Sequence, residues 1–204
     1  PSILSRRVVA LYRTLGYPDE VATLLSGLST NLAPEDVWST LTADGASYHL
    51  DNVRRLYSKV HLPQGAPTSP ALANLCAYRL DCRLAGLASS VNAAYTRYAD
   101  DLIFSGDGQF ERCVSRFRNH VCATVMEEGL RVHMRKTRIM GQGVRQYVAG
   151  LVVNQQLNVC RRDLDQLKAI LTNCIRSGPE SQNRNRFADF RAHLAGRISY
   201  ITSV

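Results

Sequence analysis

Two adjacent carboxylates, Asp100 and Asp101, sit in the run RYADDLIFSG at residues 97–106, between two apolar segments. The alternation on either side predicts a β-hairpin over 93–105 and puts the pair at its tip. Asp is an ordinary turn residue, so a solvated hairpin tip is one explanation. Two features point elsewhere. A two-residue hairpin turn normally takes Gly or Asn to reach positive φ, and this junction has neither. Neighbouring carboxylates also repel unless a cation lies between them. A divalent-metal site answers both points, because hard oxygen ligands on a rigid turn suit Mg²⁺, which keeps several waters and accepts phosphate oxygens from a substrate.

A second stretch, LPQGAPTSP at 62–70, calls for its own explanation. Gly65 permits close approach of backbone to a ligand, and three prolines stiffen the loop. The helix that follows directs its positive end at whatever binds there, which suits a phosphate or a nucleotide. A capped helix after a proline-rich loop is the plainer alternative.

Several elements must position these residues. Leu4, Val8, Leu11 and Leu15 recur at helical spacing within 2–15, with Ser2 or Ser5 as cap and Gly16 as terminator. A second helix opens at Pro18 with acidic residues in its first turn. Residues 31–60 resemble a variable loop. After the prolines, Ser69 is placed to cap and Pro70 to begin one long helix, striped by Leu72, Leu75, Cys76, Leu80, Leu84 and Leu87. Phe110, Val114, Phe117, Val121 and Val125 predict an amphipathic helix over 110–128, and LRVHM (130–134) and YVAGLVVN (147–154) read as strands. Helices resume from about residue 160, divided by the polar RSGPESQNRN at 176–185, the expected subdomain boundary.

The chain of 204 residues, 45% hydrophobic and 21% charged, is of ordinary globular composition. No apolar run approaches the roughly 18 residues of a membrane span, and no signal peptide opens it, so a cytoplasmic protein without a membrane partner is expected. The net charge of +8 rests on 22 Arg and only three Lys (Lys59, Lys136, Lys168). Guanidinium forks match phosphate oxygens, although a codon bias toward Arg would produce the same surplus. Residues 112–145 hold eight basic side chains against Glu127 and Glu128, which suits a duplex backbone. Six cysteines show no CxxC pair and no zinc-like spacing with histidine, as expected of reduced thiols. GxSxG, Walker and HExxH motifs are missing, and GQGVRQ at 141–146 lacks the third glycine of a dinucleotide fingerprint.

Taken together, the motifs resemble those of the reverse transcriptases of bacterial retrons and, more distantly, of group II introns. LPQGAPTSPALANL at 62–75 looks like the family's fourth block, YADD at 98–101 like its catalytic fifth, RKTRIM at 135–140 like its sixth and QYVAGLVVN at 146–154 like its seventh. FRAHLAGRISYI at 190–201 is similar to the start of the family's thumb. In the seventh block retron enzymes usually carry Val-Thr-Gly, where this chain has Val148-Ala149-Gly150.

The resemblance implies an α+β polymerase palm with an antiparallel sheet, packed helices and a partial helical thumb. It divides the chain into remaining fingers and palm helices at 1–60, palm with catalytic hairpin and primer grip at 61–158, and thumb from 159 to 204. It implies RNA-directed DNA polymerisation with two Mg²⁺ ions and dNTP substrates, on an RNA template with an RNA/DNA primer duplex, in a bacterial cytoplasm, with a structured non-coding RNA as a further partner. Asp100 would be the principal metal ligand and Asp101 the second. Tyr98 would support the turn, and Ala99 would face the nucleotide or primer end. Gln64, Gly65 and Ala66 would line the incoming dNTP, and Lys136 would stand near its triphosphate. The resemblance places a third carboxylate shortly before a PSI-like run, and here the chain opens on PSI. The missing N-terminal part of the same protein is therefore expected to supply that Asp, and the isolated chain is expected not to polymerise. Two other functions use the same residues: an RNA-directed RNA polymerase, and a non-catalytic reverse-transcriptase-like scaffold in phage defence.

Overall fold

The computed structural model describes residues 3–35, 37, 54, 55 and 57–204, so most of the expected variable loop at 31–60 lies outside the described residues. The chain forms two compact units, one running to Thr137 and one from Arg138 to Val204. Both mix helix and strand, which is the expected α+β class.

The first unit opens with α1 (Ser5–Thr14) and α2 (Asp19–Ser29), packed as a helical hairpin. Gly16, at φ +91, ends α1 as its position predicts, whereas Leu4 stands at the N-cap in place of either serine and makes no side-chain cap bond. The Ser5 and Ser26 hydroxyls instead hydrogen-bond each other at 2.9 Å, tying the two helices together. His61 bridges by backbone to both Leu4 and Asn31, and brings the chain to the proline-rich loop. Behind that loop Val8, Leu62 and Leu72 form a small core closed by Leu11, Tyr12 and Cys76.

The long helix expected after the loop is two helices, α3 (Ser69–Cys76) and α4 (Tyr78–Ser89). The break falls at Ala77 (φ −89, ψ −6), whose N–H is shared between the carbonyls of Ala73 and Asn74. The apolar stripe runs unbroken through this point, because the dihedrals of Ala77 still lie near the helical region; for that reason the periodicity does not reveal the break. Ser69 does not cap its own helix either. Thr68 is at the N-cap, and the Ser69 hydroxyl donates to the carbonyl of Pro63 at 2.7 Å, pinning the start of the loop to the start of α3.

β1 (Ala94–Tyr98) and β2 (Asp101–Ser105) pair antiparallel, with Tyr95 opposite Phe104, Arg97 opposite Leu102 and Tyr98 opposite Asp101. Tyr95 and Phe104 face the main core, where Phe104 meets Phe117 of α5 (Gly108–Glu127) and where Phe110, Phe117, Val121 and Val125 of that helix are buried. Leu80, Leu84 and Ala88 of α4 complete this main core. At its edge, Arg83 of α4 pairs with Glu127 and Glu128 beyond the core-facing stripe of α5. Asp107 caps α5, accepting from the N–H groups of Gln109 and Phe110. The strand expected at LRVHM is irregular: Leu130 and Val132 pack against the core without a pairing strand among the described residues, and alternation over so few residues cannot hold a strand unpaired.

Gly106, between β2 and α5, is required by close approach. A Cβ there would come within 2.6 Å of the Phe110 Cβ and 2.8 Å of its ring. Because Phe110 is buried and cannot retreat, Gly106→Ala is expected to cost about 1–3 kcal/mol. The loss would appear as a lower urea midpoint with an unchanged slope.

The second unit contains β3 (Tyr147–Val148), β4 (Leu151–Val152) and β5 (Asn158–Val159) in one antiparallel sheet, followed by α6 (Arg161–Ser177) and α7 (Phe190–Thr202). The turn between β3 and β4 is Ala149-Gly150, with φ +49 and +92. Both central residues lie in the left-handed region, as in the primed turns that match strand twist. The Asn154 side chain closes the base of this hairpin, accepting from Gln146 N–H and donating to the Val144 carbonyl, each at 2.9 Å.

Candidate functional site

The hairpin turn consists of Ala99 and Asp100, with Asp101 the first residue of β2. Ala99 takes φ +52, so the turn reaches positive φ without Gly or Asn. An L-residue in this region carries a steric cost of roughly 1–2 kcal/mol. Such strain persists only where the surroundings enforce it, and it gathers at functional sites.

Arg97 holds the turn by a hydrogen bond to the Ala99 carbonyl. Its Nε and Nη2 donate to the two carboxylate oxygens of Asp81 at 2.8 and 2.7 Å, a bidentate pair between β1 and α4. Its Nη1 donates to the Asn74 side-chain oxygen at 2.9 Å and to the carbonyl of Ala99 at 3.0 Å. Tyr95 donates its hydroxyl to Asp81 at 2.7 Å. Two side chains of β1 thus converge on one carboxylate, and the same guanidinium that reaches it also holds the turn.

The charges in this cluster perturb one another as expected. The Arg97 guanidinium holds the Asp81 carboxyl below its ordinary pKa, with the Tyr95 hydroxyl assisting against the opposing effect of burial. Burial, and then its bond to Asp81, raises the Tyr95 phenol well above its usual range. Because the folded-state pKa of Asp81 is depressed, its contribution to stability is present above the unfolded carboxyl value near 4 and is lost as the pH falls through the folded value. Asp81→Asn is therefore expected to cost about 1–2 kcal/mol at pH 7. The gap to wild type should narrow steadily below about pH 4, as followed by urea unfolding over a pH series.

Asp100 and Asp101 are both exposed, and among the described residues neither carboxylate is engaged in a hydrogen bond or an ion pair. The register puts Asp101 on the solvent face of the hairpin with Tyr98, away from the core. Two free oxygen donors on a stiff turn fit Mg²⁺, which accepts a few carboxylate ligands and completes its octahedron with water and phosphate oxygens. Among the described residues no cluster of three His, Cys, Asp or Glu side chains forms a cage.

The loop residues Gln64 and Gly65 form an exposed turn, Gly65 at φ +88 with open space where a Cβ would stand. The structure connects this loop to the hairpin through α3, whose Asn74 reaches Arg97. Lys136 lies in an exposed turn at 134–136, and no hydrogen bond or ion pair links its ammonium to the hairpin or the loop. Asn74, Asp81, Tyr95 and Arg97 are absent from the sequence-based site. The signal for them was a cation at an inward position of an alternating strand, between Tyr95 and the turn, which calls for a buried partner.

Among the described residues no helix is long and apolar enough to cross a membrane. The family model described as reverse transcriptase (RNA-dependent DNA polymerase) matches residues 23–159. The retron Mx65 reverse transcriptase of Myxococcus xanthus is 38% identical over 201 residues, covering 98% of this chain and 43% of that protein. The retron Mx162 reverse transcriptase of the same organism is 40% identical over 162 residues, covering 76% and 32%. The retron Ec86 reverse transcriptase of Escherichia coli is 34% identical over 186 residues, covering 85% and 55%. The chain thus spans between about a third and just over half of the length of these curated relatives. With most of the chain inside the family model and the two acidic residues on a clamped hairpin turn, the chain belongs to the reverse transcriptase family.

Proposed function

We propose that the protein to which this chain belongs is an RNA-directed DNA polymerase, and that Asp100 and Asp101 hold its catalytic Mg²⁺. The observation that carries this reading is the pair of exposed carboxylates, unpartnered among the described residues, on a positive-φ turn whose Ala99 carbonyl is bonded by Arg97. Bound there, Mg²⁺ would supply Lewis-acid stabilisation of the charge that develops around the phosphorus being transferred. Asp100 provides the principal ligand oxygens and Asp101 the second set. Tyr98 backs the turn, and Ala99, exposed at its apex, faces the nucleotide or the primer end.

Gln64, Gly65 and Ala66 line the incoming dNTP, the open space at Gly65 allowing backbone to approach the substrate. Lys136 carries a proton for the departing pyrophosphate. The basic surplus at 112–145 follows the template and primer backbone through Arg–phosphate contacts. In this reading 1–60 belongs to fingers and palm, 61–158 to the palm, with the hairpin at Ala149-Gly150 as primer grip, and 159–204 to the beginning of a helical thumb. The protein acts in the bacterial cytoplasm on an RNA template with an RNA/DNA primer duplex, and a structured non-coding RNA is a further partner.

Primer extension by the full-length protein on an RNA template, with Mg²⁺ and either dNTPs or rNTPs, tests the reading. Incorporation of dNTPs is expected. Preference for rNTPs would instead make the protein an RNA polymerase of the same palm type.

A further inference from the structure

Arg97 does more than an inter-element ion pair requires. A structural pair between β1 and α4 would be complete with its two bonds to Asp81. The guanidinium has a second branch, on which Nη1 bonds both Asn74 of α3 and the carbonyl of Ala99. Four of its five N–H groups are thus committed within the protein, and its side chain is only 14% exposed, so it is not disposed to contact a phosphate. The carbonyl it holds belongs to the residue at φ +52, immediately before Asp100. Asn74, the other partner of that nitrogen, lies on the helix that follows Gln64, Gly65 and Ala66.

We propose that Arg97 is a positioning residue: by fixing the Ala99 carbonyl against Asp81 and Asn74, it sets the direction of the Asp100 and Asp101 carboxylates and locks the metal-binding turn to the helix of the nucleotide-binding loop. This rests on the assignment of Asp100 and Asp101 as metal ligands. A lysine could not replace it, since one ammonium cannot span Asp81, Asn74 and Ala99 in the planar fork that the four bonds use. Tyr95 strengthens the anchor, because its hydroxyl occupies an oxygen of Asp81 and keeps that carboxylate facing β1.

The test uses the full-length protein with Arg97→Lys, Arg97→Gln and Asn74→Ala, and Asp100→Asn as reference. Amide hydrogen exchange is followed at 98–102 and, as an internal control, along α5. Single-nucleotide extension is followed as a function of Mg²⁺ and dNTP. For Arg97→Lys and Arg97→Gln the turn amides are expected to exchange about tenfold faster while α5 keeps its protection. The maximal rate should fall roughly 10- to 100-fold, since small misplacements of reacting groups carry penalties of that order. The Mg²⁺ needed for half-maximal rate should rise several-fold and the KM for dNTP should stay within about twofold, because the loop itself is intact. Asn74→Ala should shift every readout in the same direction by less, and it decides the matter if either Arg97 variant does not fold.

Wild-type turn exchange and Mg²⁺ dependence in Arg97→Lys and Asn74→Ala would overturn the proposal, as would faster exchange spread equally over α5, which marks a general structural role. Asp100→Asn separates the two levels of inference. If it is inactive while the Arg97 variants match wild type, only the positioning role fails; if it extends primers at the wild-type rate, the metal assignment fails and takes this proposal with it.

Discussion

Asp100→Asn is expected to lower primer extension by the full-length protein about 1,000-fold while leaving its thermal stability unchanged or slightly higher. The rate loss follows from charge: a neutral amide oxygen is a poor ligand for a hard cation, and metal stabilisation of a phosphoryl transition state is worth several kcal/mol. At about 1.4 kcal/mol per decade, losing some 4 kcal/mol of it gives the expected factor. Stability should be spared because, among the described residues, the Asp100 carboxylate engages no partner that the substitution would strand. Removing one of two adjacent negative charges also relieves repulsion. Single-turnover extension at saturating dNTP, together with a thermal melt, checks both halves. A variant within tenfold of wild type would exclude Asp100 as the principal ligand, and a variant that melts early would show the carboxylate to be structural.

The hairpin that carries this residue was legible in the sequence because its pattern and its packing agree. Tyr95 and Phe104, one residue out of phase with exposed Ala94, Thr96 and Ser105, meet the core, and the register pairs them directly. The helix after it was legible for the same reason: Phe110, Phe117, Val121 and Val125 mark one face at a period near 3.6, and all are buried. The break at Ala77 was not legible, because it changes one hydrogen bond without disturbing the apolar stripe. Nor could LRVHM show that it lacks a pairing strand, since pairing is a property of two segments and alternation a property of one.

The support of the site was the least legible part. Arg97 finds Asp81 sixteen residues away and Asn74 twenty-three away. Nothing in local spacing joins Arg97 to them, since the packing of β1 on α4 decides which polar groups share its guanidinium. Local pattern revealed where the carboxylates stand, and only tertiary structure revealed what holds them there.

The apolar side of the same hairpin sets the second large effect. Phe117→Ala is expected to destabilise the protein by about 3–5 kcal/mol, the range for emptying an aromatic position in a packed core. Phe117 is 5% exposed and meets two rings edge-on, Phe104 of β2 at 4.9 Å and Phe110 at 5.1 Å between centroids. Phe104 in turn stacks on Tyr95 at 5.1 Å. Each such pair adds about 0.5–1.5 kcal/mol beyond area burial, so the substitution removes two pair terms as well as the transfer term. Against a total stability of about 5–15 kcal/mol, the loss would leave a marginal fold. Phe117→Leu keeps most of the volume and should cost less, about 1.5 kcal/mol. Urea unfolding of both variants checks the order and the size. Because Tyr95 both stacks on Phe104 and bonds Asp81, the aromatic row and the polar clamp share a residue. Phe117→Ala should therefore also loosen the turn amides at 98–102, and by more than Phe117→Leu, whereas two independent supports would leave the turn as protected as in wild type until the whole unit unfolds.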